Sequence, residues 1–197
     1  MNALVIGGTK DFGLAMSTQL HMHGFNVQTV ARSNADFICD VSNKKDVSLL
    51  LQNSQIIEKK WACIVCVVGL PFSSNKNELF QSNVGYVKQL FTKLAQKKTV
   101  FLCFGSRWQL KPDENFLKYA IEKRKLAHFV KRMSKKGFHI IQCIVPPMKT
   151  QGFDLAKIRF DKMPNMHSVN EVSAWVVKTM LQRDSKPIVS WFERKTV

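Results

Sequence analysis

Apolar residues recur along the chain in short continuous runs, at 3–6, 26–30, 37–39, 63–68, 100–104, 139–145 and 188–191, each bounded by turn-forming residues. Short runs without polar alternation fit strands buried on both faces, as in a parallel sheet covered by helices on each side. Between them the apolar spacing changes to three and four residues, over 12–23, 45–52, 78–95, 116–134 and 169–181, and predicts helices. Strand and helix in alternation predict a doubly wound α/β sheet of seven mainly parallel strands with helices on both faces. No internal repeat, low-complexity tract or linker interrupts the pattern, so residues 1–197 are expected to fold as one domain. Two loops stand out, 70–77 after the fourth strand and about 148–168 after the sixth. In such sheets ligands bind beyond the carboxyl ends of the strands, where these loops lie.

The first strand, ALVI, runs into Gly7-Gly8-Thr9-Lys10-Asp11-Phe12-Gly13 and then into the helical LAMSTQL. A strand, a tight glycine turn and a helix aim free backbone N–H groups and the positive helix end at a pyrophosphate. Farther along, Tyr119 and Lys123 stand four residues apart, hence on one helix face, where the ammonium is expected to draw the phenol pKa down. Ser106 precedes Tyr119 by thirteen residues and ends the run VFLCFGS. Reduction of a carbonyl needs a proton donor and charge stabilisation at the developing alkoxide, which a phenol, an ammonium and a hydroxyl supply.

These segments together resemble the short-chain dehydrogenase/reductase family, whose fold is of the Rossmann type. VIGGTKDFGLA is similar to its T-G-x-x-x-G-x-G turn, with Ile6 in place of Thr and Asp11 in place of the middle glycine. CDVS resembles the segment beside the adenine, CIVCVVG stands where the family has N-N-A-G, and IVPPMKT resembles its P-G motif followed by Thr, with Pro147 in place of the glycine. The resemblance implies a cofactor site of Gly7, Thr9, Lys10, Asp11, Phe12, Gly13, Arg32, Ser33, Asp40, Val41, Val67, Val68, Gly69, Tyr119, Lys123, Pro146, Pro147, Met148 and Thr150. It also implies a catalytic tetrad: Tyr119 as acid/base, Lys123 as its electrostatic partner, Ser106 as substrate anchor, and Asn83 holding a water that connects to the lysine. Without the two asparagines of N-N-A-G, apolar packing is expected to brace the central sheet. Lys10 and Arg32 stand where the adenosine ribose belongs, and cations there favour the 2′-phosphate, so NADP(H) is expected over NAD(H).

Composition narrows the setting. Five cysteines, Cys39, Cys63, Cys66, Cys103 and Cys143, lie mostly in apolar runs and read as small buried hydrophobes; the Cys63-x-x-Cys66 pair has no second Cys/His pair to complete a zinc site. The five histidines lack ligand spacing, so no metal is expected. No apolar stretch reaches a membrane span, and the amino terminus enters a strand rather than a cleavable signal; a reducing cytoplasm is the expected compartment. The net charge of +16 attracts polyanions in general. Its densest group, Lys123, Arg124, Lys125, Lys131, Arg132, Lys135 and Lys136, reads first as a solvated helix face rather than a nucleic-acid surface. The apolar residues Phe80, Val84, Val87, Phe91, Phe116, Leu126 and Phe129 exceed what one face of each helix needs, and predict a homodimer or homotetramer. The function read from this sequence is an NADP(H)-dependent oxidoreductase interconverting a small-molecule carbonyl and an alcohol. The alternative is a non-catalytic NADP(H)-binding regulator, motivated by Asp11, the missing N-N pair and Pro147; a nucleic-acid-associated protein is a third reading, motivated by charge alone.

Overall fold

The computed structural model describes residues 1–148, 150, 166–182 and 186–193. Seven strands, β1 (Asn2–Ile6), β2 (Asn26–Ala31), β3 (Phe37–Ile38), β4 (Cys63–Cys66), β5 (Val100–Ser106), β6 (Ile140–Val145) and β7 (Ile188–Ser190), form one sheet. Their order is β3-β2-β1-β4-β5-β6-β7 and each neighbouring pair is parallel. The helices are α1 (Asp11–Met22), α2 (Lys44–Leu50), α3 (Ser54–Ile57), α4 (Lys76–Phe80), α5 (Tyr86–Leu94), α6 (Arg107–Leu110), α7 (Leu117–Lys135) and α8 (Val169–Leu181).

Alternate residues of each central strand feed opposite layers, which is why the runs are apolar throughout. On β1, Ala3 and Val5 meet Phe12, Met16 and Leu20 of α1 and Val172, Val176 and Met180 of α8. Leu4 and Ile6 join the other layer, built with Val47 of α2, Leu90 and Phe91 of α5, and Leu126, Phe129 and Val130 of α7. Cys63 and Cys66 of β4 fall in these two different layers, and all five cysteines are buried thiols outside any disulfide. Helix starts follow local chemistry: the side chains of Asn43, Asn53, Asn75 and Ser168 each accept a first-turn N–H, of α2, α3, α4 and α8 respectively.

Several expectations change. The helix expected over 78–95 begins earlier, at Lys76, and contains a π-helical turn, Gln81–Gly85, between α4 and α5. α3 and α6 interrupt stretches that carry no helical periodicity long enough to announce them. β4 ends two residues short of 68; Val67 still donates its N–H to Ile6 O at 3.0 Å, and Val67 and Val68 line a crevice. The apolar residues that predicted an oligomer are consumed within the chain: Val84, Val87, Phe91, Phe116, Leu126 and Phe129 are all buried, and Phe80 alone of the set is exposed. Phe91 explains why, for it packs edge-on against Phe101, Phe129 and Phe138 and fills the layer between sheet and helices. What α7 leaves outside is mostly cationic, including Lys118, Arg124, Lys125, Lys131, Arg132 and Lys135. No helix among the described residues is long and apolar enough to cross a membrane.

Candidate active site

The turn after β1 is built for close approach. Gly7 has a left-handed backbone (φ +85°) and donates its N–H to Val30 O at 2.7 Å. A β-carbon on Gly13 would lie 1.8 Å from Gly7 O, so α1 can begin this near the strand because residue 13 is glycine. Ser17 Oγ donates to Gly8 O or Gly13 O, at 3.0 and 3.1 Å, and ties the helix to the turn. Lys10, the residue before α1, provides no side-chain cap, so that Asp11, Phe12 and Gly13 open the helix at the wall of a cavity. Asp11, where the glycine of the resembled motif belongs, holds a left-handed conformation (φ +46°).

The strand order reverses between β1 and β4, and a crevice opens there beyond their carboxyl ends. It comprises two cavities of about 320 and 450 Å³ that share Gly7, Lys10, Val68 and Gly69 as walls. The larger is lined also by Thr9, Arg32, Ser33, Asp40 and Val41; the smaller by Asp11, Phe12, Gly13, Val67, Ser106, Tyr119, Lys123, Pro146, Pro147, Met148 and Thr150. Every residue expected at the cofactor lies on one wall or the other. The second loop, 148–168, falls outside the described residues except for Met148, Thr150 and its last three positions.

In the larger cavity, the guanidinium of Arg32 and the ammonium of Lys10 have no hydrogen-bond or ion-pair partner among the described residues. The acids nearby are engaged. Asp40 Oδ1 accepts from Ser42 N and Oγ at 2.9 and 2.7 Å, and Glu78 accepts from Ser73 Oγ. Asp36, a few residues beyond Arg32, is absent from the cavity wall because its carboxylate accepts from Thr29 N and Oγ1.

In the smaller cavity three members of the expected tetrad meet. Desolvation pushes the half-buried Tyr119 phenol well above its ordinary pKa, and a hydrogen bond with the Ser106 side chain opposes that only in part. Lys123 is 3% exposed, and burial lowers its ammonium to about 8. Its Nζ sits 5.2 Å from the centroid of the Tyr119 ring. The expected downward pull of the lysine on the phenol is therefore corrected: the cation lies against the ring, and desolvation outweighs it. Ser106 Oγ also accepts from Trp108 N at 3.3 Å, because Ser106 caps α6.

Asn83 does not line the crevice. It lies in the π-helical turn, where its Nδ2 donates to Leu70 O at 2.8 Å and Leu79 O at 2.9 Å. Its Oδ1 is buried with no hydrogen-bond partner among the described residues and, like Lys123 Nζ, abuts Gly69. An acceptor stranded beside a buried ammonium suits a bridging water, as the resemblance implies.

Other residues hold this arrangement. Tyr86, fully buried, donates its hydroxyl to Val68 O at 2.7 Å, so the segment lacking both asparagines is braced by a hydrogen bond in addition to apolar packing. Gln109 completes a capping box with Ser106 and donates to Gln142 Oε1 at 3.2 Å, while Gln142 Nε2 reaches Lys123 O at 3.4 Å. Ser106 and Lys123 are thus joined through two buried amides across α6, β6 and α7. The Ser106-x-x-Gln109 spacing and a glutamine inside the apolar run IIQCIV were readable signs of this network. No group of three metal-ligating side chains exists among the described residues.

No protein-family model matches the chain, and no curated protein is significantly similar in sequence. Solved structures are similar in fold. A short-chain dehydrogenase from Sphingobium yanoikuyae, in complex with NADPH, superposes with a TM-score of 0.83 at 13% identity, covering 96% of this chain and 86% of that one. The 3-alpha-hydroxysteroid dehydrogenase from Pseudomonas sp. B-0831, complexed with NADH, gives 0.79 at 15% identity over 97% and 95% of the two chains. The 3-ketoacyl-(acyl-carrier-protein) reductase from Brucella melitensis, complexed with NADH, gives 0.79 at 16% identity over 96% of each. The chain thus has the Rossmann-type fold of short-chain dehydrogenases/reductases; at these identities the chemistry must be argued from its own residues.

Proposed function

We propose that this protein is an NADP(H)-dependent oxidoreductase that interconverts a carbonyl and an alcohol, with Tyr119 as the acid/base. The observation that carries this reading is the meeting of Ser106, Tyr119 and Lys123 on one wall of a crevice whose other end is a glycine turn with Gly13 packed against Gly7 O. The turn and the start of α1 suit a pyrophosphate, while Lys10 and Arg32 suit a 2′-phosphate. Asp40 and Val41 would flank the adenine, and Pro146, Pro147, Met148 and Thr150 the nicotinamide. NADPH held there would supply the hydride for the new C–H bond and be oxidised to NADP⁺. Ser106 holds the substrate oxygen, and Tyr119, kept protonated by desolvation, gives that oxygen its proton. Lys123 stabilises the phenolate left behind, which then recovers a proton from solvent.

The test compares NADPH with NADH by thermal shift and then assays a panel of ketones, aldehydes and quinones. NADPH should stabilise more, and Arg32→Asp should erase the difference. Tyr119→Phe should retain NADPH binding and lose about 10²- to 10⁴-fold in turnover. Equal shifts with both cofactors would remove the NADP(H) assignment, and an unimpaired Tyr119→Phe would remove the mechanism. Asp11, a left-handed residue with a carboxylate at the turn, favours a second reading, a regulator that binds NADP(H) without turning over; it gains if cofactor binds and the panel stays unreduced.

A further inference from the structure

Four charged residues line the smaller cavity: Lys10, Asp11, Arg107 and Lys123. Three already have places in the reading above, two at the phosphate turn and one beneath Tyr119. Arg107 has none. It follows Ser106 directly, is exposed, and its guanidinium has no hydrogen-bond or ion-pair partner among the described residues. Arg124 shows the contrast, since its Nε is spent on Gln109 O at 2.9 Å.

The backbone that presents Arg107 is held firmly. Ser106 and Gln109 close a capping box around it, and Gln109 is anchored to Gln142 of β6. The next residue, Trp108, lines the same cavity. Its ring stacks on Phe116 with centroids 3.8 Å apart and planes within 8°, and Phe116 packs in turn on Phe72 at 4.8 Å. Trp108 also meets the Tyr119 ring edge-on at 6.5 Å. Three functions therefore lie side by side: hydroxyls for a carbonyl oxygen, a pinned aromatic plane for an apolar body, and a guanidinium for a negative charge.

We propose that the substrate of this site is a carboxylate-bearing carbonyl with a flat apolar body, its carboxylate paired with Arg107 and its body laid against Trp108. The inference rests on the oxidoreductase reading for its carbonyl and on Arg107 for its carboxylate. A guanidinium pairs with a carboxylate through two parallel hydrogen bonds, which orients the substrate as well as holding it. Pairing at the residue beside Ser106 sets the carboxylate next to the reacting carbonyl, so 2-oxo acids with an aryl or similar flat substituent are the fitting members of the class.

The experiment uses phenylglyoxylate and its methyl ester, which differ in charge and share the ketone. With NADPH, the wild type should reduce the acid with a kcat/KM about ten- to hundredfold above the ester, the factor expected of a charge-assisted hydrogen bond. Arg107→Ala should collapse that ratio to within about threefold and Arg107→Lys should restore part of it. The product pair, mandelate and methyl mandelate, is titrated calorimetrically into the NADP⁺ complex as a readout that needs no turnover. A ratio near one in the wild type, or one that Arg107→Ala leaves alone, in both rates and binding, overturns the inference while leaving the oxidoreductase reading intact. Charge-selective binding that depends on Arg107, without reduction of either ketone, supports the anion site and counts against the oxidoreductase reading instead.

Discussion

Lys123 Nζ and Asn83 Oδ1 converge on one backbone position: a β-carbon on Gly69 would lie 3.0 Å from the first and 3.1 Å from the second. The two respond differently to crowding. Asn83 is pinned through Nδ2 to two carbonyls, whereas the lysine ammonium is the end of a flexible chain. Gly69→Ala should therefore displace Lys123 and leave Asn83 in place. Misplacement of about 1 Å at a reacting centre costs on the order of 10²-fold, so kcat should fall by about ten- to a hundredfold. Thermal unfolding should barely move, because only a side-chain end shifts. Wild-type kcat in the alanine variant would show that the Lys123 position does not matter to the reaction.

The pH dependence follows from the same lysine. Burial lowers Lys123 to about 8, while Tyr119 is raised and stays protonated through that region. If the charged ammonium is needed, kcat/KM for reduction should fall as pH rises through about 8, and Lys123→Arg should flatten that limb since a guanidinium does not titrate there. Stability has the opposite sign. The folded pKa lies below the unfolded value of 10.5, so the charged lysine costs stability below about 8, and the cost fades as pH rises toward 10.5. Lys123→Met should be the more stable protein at neutral pH, by on the order of 3 kcal/mol, with the advantage shrinking above about pH 8. Chemical denaturation of both proteins at two pH values checks this; a pH-independent difference would contradict it.

Self-association should depend on salt in an unusual direction. Pairing of two copies through the α5 and α7 helices would bring together faces carrying Lys118, Arg124, Lys125, Lys131, Arg132 and Lys135. One acid, Glu122, answers them through Lys125 at 2.7 Å. Like charges repel over about 10 Å at 0.1 M salt and less as salt rises. Sedimentation should find weaker association at low than at high ionic strength. A dimer equally tight at both would mean that copies meet through another surface.

The strands were legible because each central one is apolar on both faces, and the meeting of Ser106, Tyr119 and Lys123 on one cavity wall because they sit at spacings that a helix and a strand end bring together. The π-helical turn was not: QSNVG continues the helical spacing of its neighbours, and the offset is set by Asn83 reaching Leu70 O across the fold. Tyr86 was equally silent, since a helical tyrosine gains meaning only when its hydroxyl meets Val68 O, eighteen residues away. The burial of the apolar residues on α5 and α7 was not legible either, because a count of apolar side chains along a helix does not reveal depth. Phe91 alone contacts three other rings inside the chain.

Asp11 offers the sharpest separation of strain from charge. Its left-handed backbone costs roughly 1 kcal/mol or more for a residue with a β-carbon, though Asp tolerates that region better than most. Asp11 lines the cavity where a pyrophosphate would lie, and two like charges about 4 Å apart repel by about 1 kcal/mol even in bulk water. Asp11→Asn removes the charge and keeps the conformational tolerance; Asp11→Gly removes both penalties. If repulsion governs, both variants should bind NADPH at least about fivefold tighter than the wild type, the factor corresponding to about 1 kcal/mol. If strain governs, Asp11→Gly should gain in thermal stability without cofactor while Asp11→Asn matches the wild type. Calorimetric titration with NADPH and unfolding in its absence separate the two. Weaker binding in both variants would mean that the Asp11 carboxylate serves the cofactor site instead of opposing it, and would turn the departure from glycine into a feature of how this turn recognises its ligand.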